Sequence, residues 1–389
     1  MSDEEEWTPD FKRRKITPPT PKQTLKDKYK QRIESSKMPA AAKQEALNRL
    51  MMAKDEKSYE WLEQLLKIPF GVYTPLPVHQ GSSKNSLKKY FNKVNKTLNE
   101  AVYGMTPAKE EVLNYIAQFI SMSNNGMPRI LGLCSSPGCG KTALIRRGFA
   151  KAINRPMHCL SMGGIRDSNY FLGHDFTYVG SRNGILVQAL INMKCMNGII
   201  YLDEIDKVSY SSDGLEIQAL LLHITDPVQN HSFQDKYFAG IEIDLSKVVF
   251  IFSFNDESLI DPVLKDRIHI IHIKDPNMQE KMVIGKQYLL KEIACNVGLK
   301  LEDMIISDET VRYIIMHWCN KDKGVRGLKK CLESLLLKIN TARYLPQKLQ
   351  KYKCFQTFTT PFELTNQVVD ELLKDMKPEE DKYLMTMYM

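Results

Sequence analysis

The chain has 389 residues, 43% of them hydrophobic and 26% charged, with a formal net charge of +8. That length allows two or three domains, and the composition is that of a globular protein rather than a fibrous or disordered one. No run of about 18 apolar residues occurs, which excludes a membrane-spanning helix, so no membrane partner is expected.

The eight cysteines form no C-x-x-C pair and no zinc spacing with histidine, so free thiols in a reducing compartment are expected. The acidic start "MSDEEEWTPD" lacks the apolar core of a signal peptide and the basic character of a mitochondrial transit peptide. A cytoplasmic location is expected. The basic block Lys12, Arg13, Arg14 and Lys15 is also compatible with a nuclear-localisation signal. Residues 1–23 otherwise read as a disordered tail with little to bury.

Residues 24–71 carry apolar residues at three- and four-residue spacing and are expected to form a small helical module, closed by Pro69 and Gly71. A linker-like stretch over 72–88 follows, then helical patterns near 85–100 and 106–121. Five short apolar runs come next: "RILGLCS", "MHCLSM", "GIIYLDE", "KVVFIFSFN" and "IHIIHI". Segments long enough for a crossover separate them, which predicts an α/β domain over 72–275 built on a parallel sheet with helices on both faces. His269 and His272 fall on opposite faces of the last strand and are read as strand residues rather than metal ligands. Three helices are expected over 276–345, the second capped by Ser307. Residues 346–389 hold a short strand and one helix.

The strongest chemical signal is "SSPGCGKT" at 135–142, between a predicted strand and a predicted helix. Small residues let backbone N–H groups turn inward around phosphates. Ser135, Ser136, Pro137, Gly138, Cys139 and Gly140 would form that cradle, Lys141 would reach the terminal phosphates, and Thr142 would ligate Mg²⁺. Ser135 stands where the motif has its first glycine. Cys139 sits beside Lys141 and a helix N-terminus, a setting that favours thiolate, although a small loop-filling residue is the simpler reading. Downstream, "IIYLDEID" brings Asp203 to the end of a buried strand as a second metal ligand, with Glu204 beside it to polarise the attacking water. "FIFSFND" ends in Asn255, placed to orient that water or sense the γ-phosphate. "PVLKDRIHII" offers Arg267 as an arginine finger for a neighbouring subunit. "GVRGLKK" puts Arg326 at a helix start, within reach of phosphates.

These five elements, in this order, resemble an AAA+ ATPase. The match is closer still: "YGMTPAKEEVLNYIAQF", "GGIRDSNYFLGHDFTYVGSRNGILVQAL", "LDEIDK", "DPVQNHSFQDKYF", "IDLSKVVFI" and "GVRGL" resemble the ATPase module of Lon proteases. The resemblance implies an α/β P-loop NTPase domain with a five-stranded sheet, a helical lid, ATP with Mg²⁺, and a homo-oligomeric ring, as a rule a hexamer. It assigns Tyr103 to the nucleotide, Tyr178 and Val179 to a pore loop that grips polypeptide, and Tyr210 to a second pore loop over 208–214. Pattern alone leaves "GHDFTYVG" divided between a core strand and a loop; the resemblance decides for the loop. Departures are Asp175-Phe176 in place of a usual basic pair, Val102 in place of a His, and "DGLEI" at 213–217. Lon's Ser-Lys proteolytic domain is not expected in the remaining sequence. The function expected is an ATP-driven motor that threads unfolded or tagged proteins through a ring pore as an unfoldase or remodeller, without an intrinsic peptidase. The alternatives are an ATPase subunit serving a separate protease, or a nucleic-acid motor, which the lack of Lys and Arg in "FTYV" disfavours.

Overall fold

The computed structural model describes residues 24–122, 129–165, 167–178, 180–208, 212–345, 352–355 and 361–376. The basic block at 12–15, Val179 and Tyr210 lie outside these residues. The chain divides into two compact units, residues 1–67 and 68–389.

In the first unit three helices follow one another: α1 (Leu25–Ser35), α2 (Ala40–Met52) and α3 (Glu56–Lys67). Ile33, Ala46, Leu50, Trp61, Leu62 and Leu65 are buried. A capping box at Thr24 starts α1. Arg32 forks onto both carboxylate oxygens of Glu63, tying α1 to α3.

The second unit is built on a five-stranded parallel sheet of order β2-β3-β6-β1-β7. The strands are β1 (Ile130–Cys134), β2 (Met157–Ser161), β3 (Ile199–Asp203), β6 (Val249–Phe254) and β7 (Ile268–His272). β4 (Phe233–Gln234) and β5 (Glu242–Ile243) form a separate short hairpin. Central β6 is buried at every position, as a strand covered on both faces must be. Edge strand β7 buries Ile268 and Ile271 and exposes His269 and His272.

Helices α4 (Lys84–Ala101) and α5 (Thr106–Ser121) pack one apolar core against the sheet. The helix after β1, α6, runs through Lys141–Ala143, a π turn Leu144–Phe149 and Ala150–Ala152. Two further helices are α7 (Asn169–Leu172) and α8 (Ile185–Met193). They are followed by α9 (Ser212–Thr225) and α10 (Pro262–Arg267).

Beyond the sheet lies a helical lid with its own core. It holds α11 (Met278–Val283, a π turn Ile284–Leu289, Leu290–Val297), α12 (Asp308–Trp318) and α13 (Arg326–Tyr344). Ser307 caps α12, accepting from Thr310 N at 3.0 Å. The lid continues past the point where the sequence suggests a break at 345. Strand β8 (Met304–Ile306) pairs in parallel with β9 (Phe362–Leu364), and α14 (Asn366–Leu373) buries Val369, Leu372 and Leu373 in the lid core. Tyr352, Phe355 and Phe362 belong to that core too. The short strand is too brief to show a period of its own, and only its partner, some sixty residues earlier, reveals where it belongs.

Candidate functional site

All five strands are parallel, so their C-terminal ends share one edge, where α/β folds place ligands. The loop after β1 turns there. Gly138 (φ 80°) and Gly140 (φ 94°) hold left-handed backbone, which favours glycine, and let the loop wrap tightly before α6 begins at Lys141.

Lys141 is nearly buried. Its ammonium donates to Ser135 O (2.8 Å), Ser135 Oγ (3.2 Å) and Asn255 Oδ1 (2.8 Å). Burial lowers its pKa, against the pull of Asp203. Ser135, where a glycine is usual, thus supplies two acceptors to the lysine. Ser135 and Ser136 do not line the cavity described below.

Asp203 ends β3 and accepts a hydrogen bond from Ser253 Oγ on neighbouring β6. The same hydroxyl accepts from Glu204 N at 3.4 Å, so one serine orients both acidic residues. Glu204 itself takes a left-handed turn (φ 61°) that swings its carboxylate off the strand. Asn255 N donates to buried Asp206 Oδ2 at 3.2 Å. The Thr142 and Tyr201 hydroxyls lie 3.4 Å apart.

This edge of the sheet borders a cavity of about 320 Å³. Lys141, Thr142, Asp203, Glu204 and Asn255 form its polar end. Val102, Tyr103, Met105, Ile284, Tyr288 and Leu289 form an apolar end, with the Tyr103 and Tyr288 rings 6.3 Å apart. Arg326 enters from the lid, whose Val325 N donates to Gly138 O at 3.2 Å. Across the rim, Arg147 of α6 and Lys329 of α13 both pair with Glu292 of α11, at 2.7 and 3.0 Å. The Arg147 guanidinium, more than any other group, pulls the Glu292 carboxyl down to about 2.

The sequence model of the "ATPase family associated with various cellular activities (AAA)" matches residues 131–275, which span this sheet and its cavity-lining loops. A Lon protease homolog of Acanthamoeba polyphaga mimivirus is 37% identical over 265 residues, 67% of this chain and 26% of its own. A Lon protease of Campylobacter concisus is 37% identical over 287 residues, 72% of this chain and 34% of its own. The mitochondrial Lon protease homolog of Candida albicans is 33% identical over 332 residues, 83% and 29%. The chain carries a Lon-like AAA+ module. It spans about a quarter to a third of the length of these relatives.

Two residues of the Lon-like module are held by partners of their own, away from the polar end of the cavity. The Cys139 thiol is not biased toward thiolate. It is buried and donates to Asp275 Oδ1 at 3.4 Å, and burial foremost pushes its pKa up to about 11. Local burial and a neighbouring carboxylate outweigh Lys141 and the helix end. Arg267 is far from the cavity. It ends α10, just before Ile268 of β7 pairs with Ile130 at the opposite end of the sheet, and donates to Leu222 O (2.6 Å) and Asp226 Oδ2 (3.1 Å). Five strand residues separate the two ends by about 16 Å.

The segment "GHDFTYVG" contains no strand among its described residues. Its stem is closed by backbone: His174 N donates to Arg182 O at 3.0 Å, and Gly184 packs so tightly on Phe171 that a Cβ would fall 1.9 Å from its carbonyl oxygen. Buried Asp235 accepts from Gly184 N (2.7 Å) and Tyr237 N (2.9 Å). Phe176 packs edge-on against Tyr237 at 5.9 Å, while Tyr178 stands 68% exposed at the tip.

Ser253, Asp206, Ile284, Tyr288, Glu292, Lys329, Arg147 and Asp235 escape the sequence reading. The one available signal was the i, i+4 pair Ile284 and Tyr288, an apolar stripe that served equally well as ordinary core. Among the described residues no helix is long and apolar enough to cross a membrane.

Proposed function

We propose that this chain is an ATP-hydrolysing motor that threads polypeptide through a homo-oligomeric ring. The supporting observation is the single cavity that gathers Lys141, Thr142, Asp203, Glu204 and Asn255 at one sheet edge, while Arg267 faces away at the other. A ring that places each Arg267 beside its neighbour's cavity accounts for both.

The residues suit ATP and Mg²⁺. Gly138 and Gly140 leave a cradle without side chains, and a hydroxyl and a carboxylate, Thr142 and Asp203, stand where a hard cation prefers oxygen. Bound there, the metal would offset charge on the β- and γ-phosphates. Lys141 neutralises the terminal phosphate, Asn255 orients the attacking water, and Glu204 takes up that water's proton as the γ-phosphoryl group leaves ADP. The apolar end receives the base, with Tyr103 and Tyr288 as its walls, and Arg326 couples phosphate occupancy to the lid.

Tyr178 supplies the grip. An exposed aromatic at the tip of a stem-closed loop contacts chains of any sequence through ring packing. The work of each ATP cycle moves that loop along the pore. The test is unfolding of a folded, tagged reporter by the purified protein with ATP. Tyr178→Ala should abolish unfolding and keep at least half the ATP turnover. Glu204→Gln should bind ATP and lower turnover by about a hundredfold or more. Equal unfolding by wild type and Tyr178→Ala would refute threading.

A further inference from the structure

Two buried thiols lie in contact in the lid. Cys319 closes α12 and Cys331 sits in the second turn of α13; both are about 5% exposed or less, and their sulfurs are 3.7 Å apart. The nucleotide chemistry above uses neither.

The segment between them is the part of the lid that touches the phosphate loop. Val325 N donates to Gly138 O, and Gly324 lies so close to Pro137 that a Cβ would come 2.4 Å from its carbonyl oxygen. Arg326, at the start of α13, lines the cavity. The backbone turn after α12 is itself held by Asp322 N donating to Cys319 O at 3.1 Å.

We propose that Cys319 and Cys331 are an oxidation site, forming an intramolecular disulfide that shifts the 320–326 segment and weakens nucleotide binding. The part concerning nucleotide rests on the ATPase reading above; the disulfide itself does not. The oxidant is a hydroperoxide. The Cys331 thiolate attacks a peroxide oxygen of H₂O₂, giving a sulfenic acid and a hydroxide, which becomes water with the proton that the Cys331 thiol released; the Cys319 thiol then displaces the sulfenic hydroxyl as a second water, leaving the S–S bond. Two thiols lose two electrons and H₂O₂ takes them. The sulfur–sulfur contact with Cys319 holds the Cys331 pKa below its ordinary value, which makes Cys331 the attacking sulfur. Closing the bond draws the sulfurs together by about 1.7 Å. α12 moves toward α13, and the intervening segment, seated on Pro137 and Gly138, cannot keep its place.

The experiment treats the full chain with hydrogen peroxide, maps disulfide-linked peptides by mass spectrometry, and titrates fluorescent N-methylanthraniloyl-ADP before and after. Expected are a Cys319–Cys331 cross-linked peptide, ADP binding weakened about fivefold as for one lost hydrogen bond, and recovery with dithiothreitol. Cys331→Ser should bind ADP like the reduced wild type and not respond to peroxide. Oxidised wild type without that cross-link overturns the proposal, and this measurement needs no variant to fold. A cross-link with unchanged affinity overturns the coupling to nucleotide. Failure of the reduced protein to bind ADP would instead count against the ATPase reading.

Discussion

Ser253 has a 0% exposed hydroxyl that donates to Asp203 and accepts from Glu204 N. Both acidic residues depend on it for orientation, since strand β3 alone fixes only their backbone. Removing it leaves Asp203 without its buried donor, and a hydrogen bond to a charged group contributes more than a neutral one. Ser253→Ala should lower ATP turnover by about tenfold or more and leave metal-free ADP affinity unchanged. Steady-state turnover beside ADP titration checks this; unaltered turnover would show the hydroxyl to be packing only. No motif points to Ser253, because its partners lie about fifty positions earlier and meet it only when β3 and β6 pair.

At the scale of elements, the exposed aromatic loop stands on a stem whose Gly184 end is held by Asp235. Burial pushes this carboxyl up to about 7, although the backbone N–H groups of Gly184, Tyr237 and Phe238 pull it down. The folded protein therefore holds this proton more tightly than the unfolded chain, where the carboxyl has its ordinary value of 3.8. The stabilising contribution is complete below about pH 4, fades as pH rises, and is gone above about pH 7. Asp235→Asn cannot titrate. The urea midpoint of wild type relative to this variant should therefore fall between about pH 5 and about pH 8; parallel curves would refute the assignment.

The elements themselves were largely legible. β1, β3 and β6 are continuous apolar runs because both of their faces are covered, and the phosphate loop announces itself through glycines that its turn requires. The lid's three main helices follow from their apolar period. What sequence could not give is whatever depends on distant segments meeting. Glu292 joins Arg147 across 145 positions, and β9 finds β8 from the far side of α13. Cys139 is the small loop-filling residue that its place in the phosphate loop suggests, but its hydrogen-bond partner Asp275 is one that local sequence does not bring near it.

For the whole molecule, one chain contributes Lys141 to its own cavity and, in the proposed ring, Arg267 to a neighbour's. Subunits carrying Lys141→Ala and subunits carrying Arg267→Ala should each be inactive alone. Mixed, they should regain a measurable part of wild-type ATP turnover, because some interfaces then pair an intact cavity with an intact arginine. No recovery on mixing would place Arg267 in a purely structural role with Asp226.

Strand β7, five residues long, holds Arg267 and the cavity edge at opposite ends of the sheet. In the proposed motor the residues lining the cavity all come from one chain, so capture of nucleotide belongs to a single subunit and is indifferent to dilution. Turnover in the proposed ring belongs to a pair, because a chain's own Arg267 stands about 16 Å from its cavity, at the other end of its sheet, and the neighbour's must serve instead. As concentration falls, mass action separates the two: the dilute protein becomes a nucleotide store, and only the assembled protein becomes an engine.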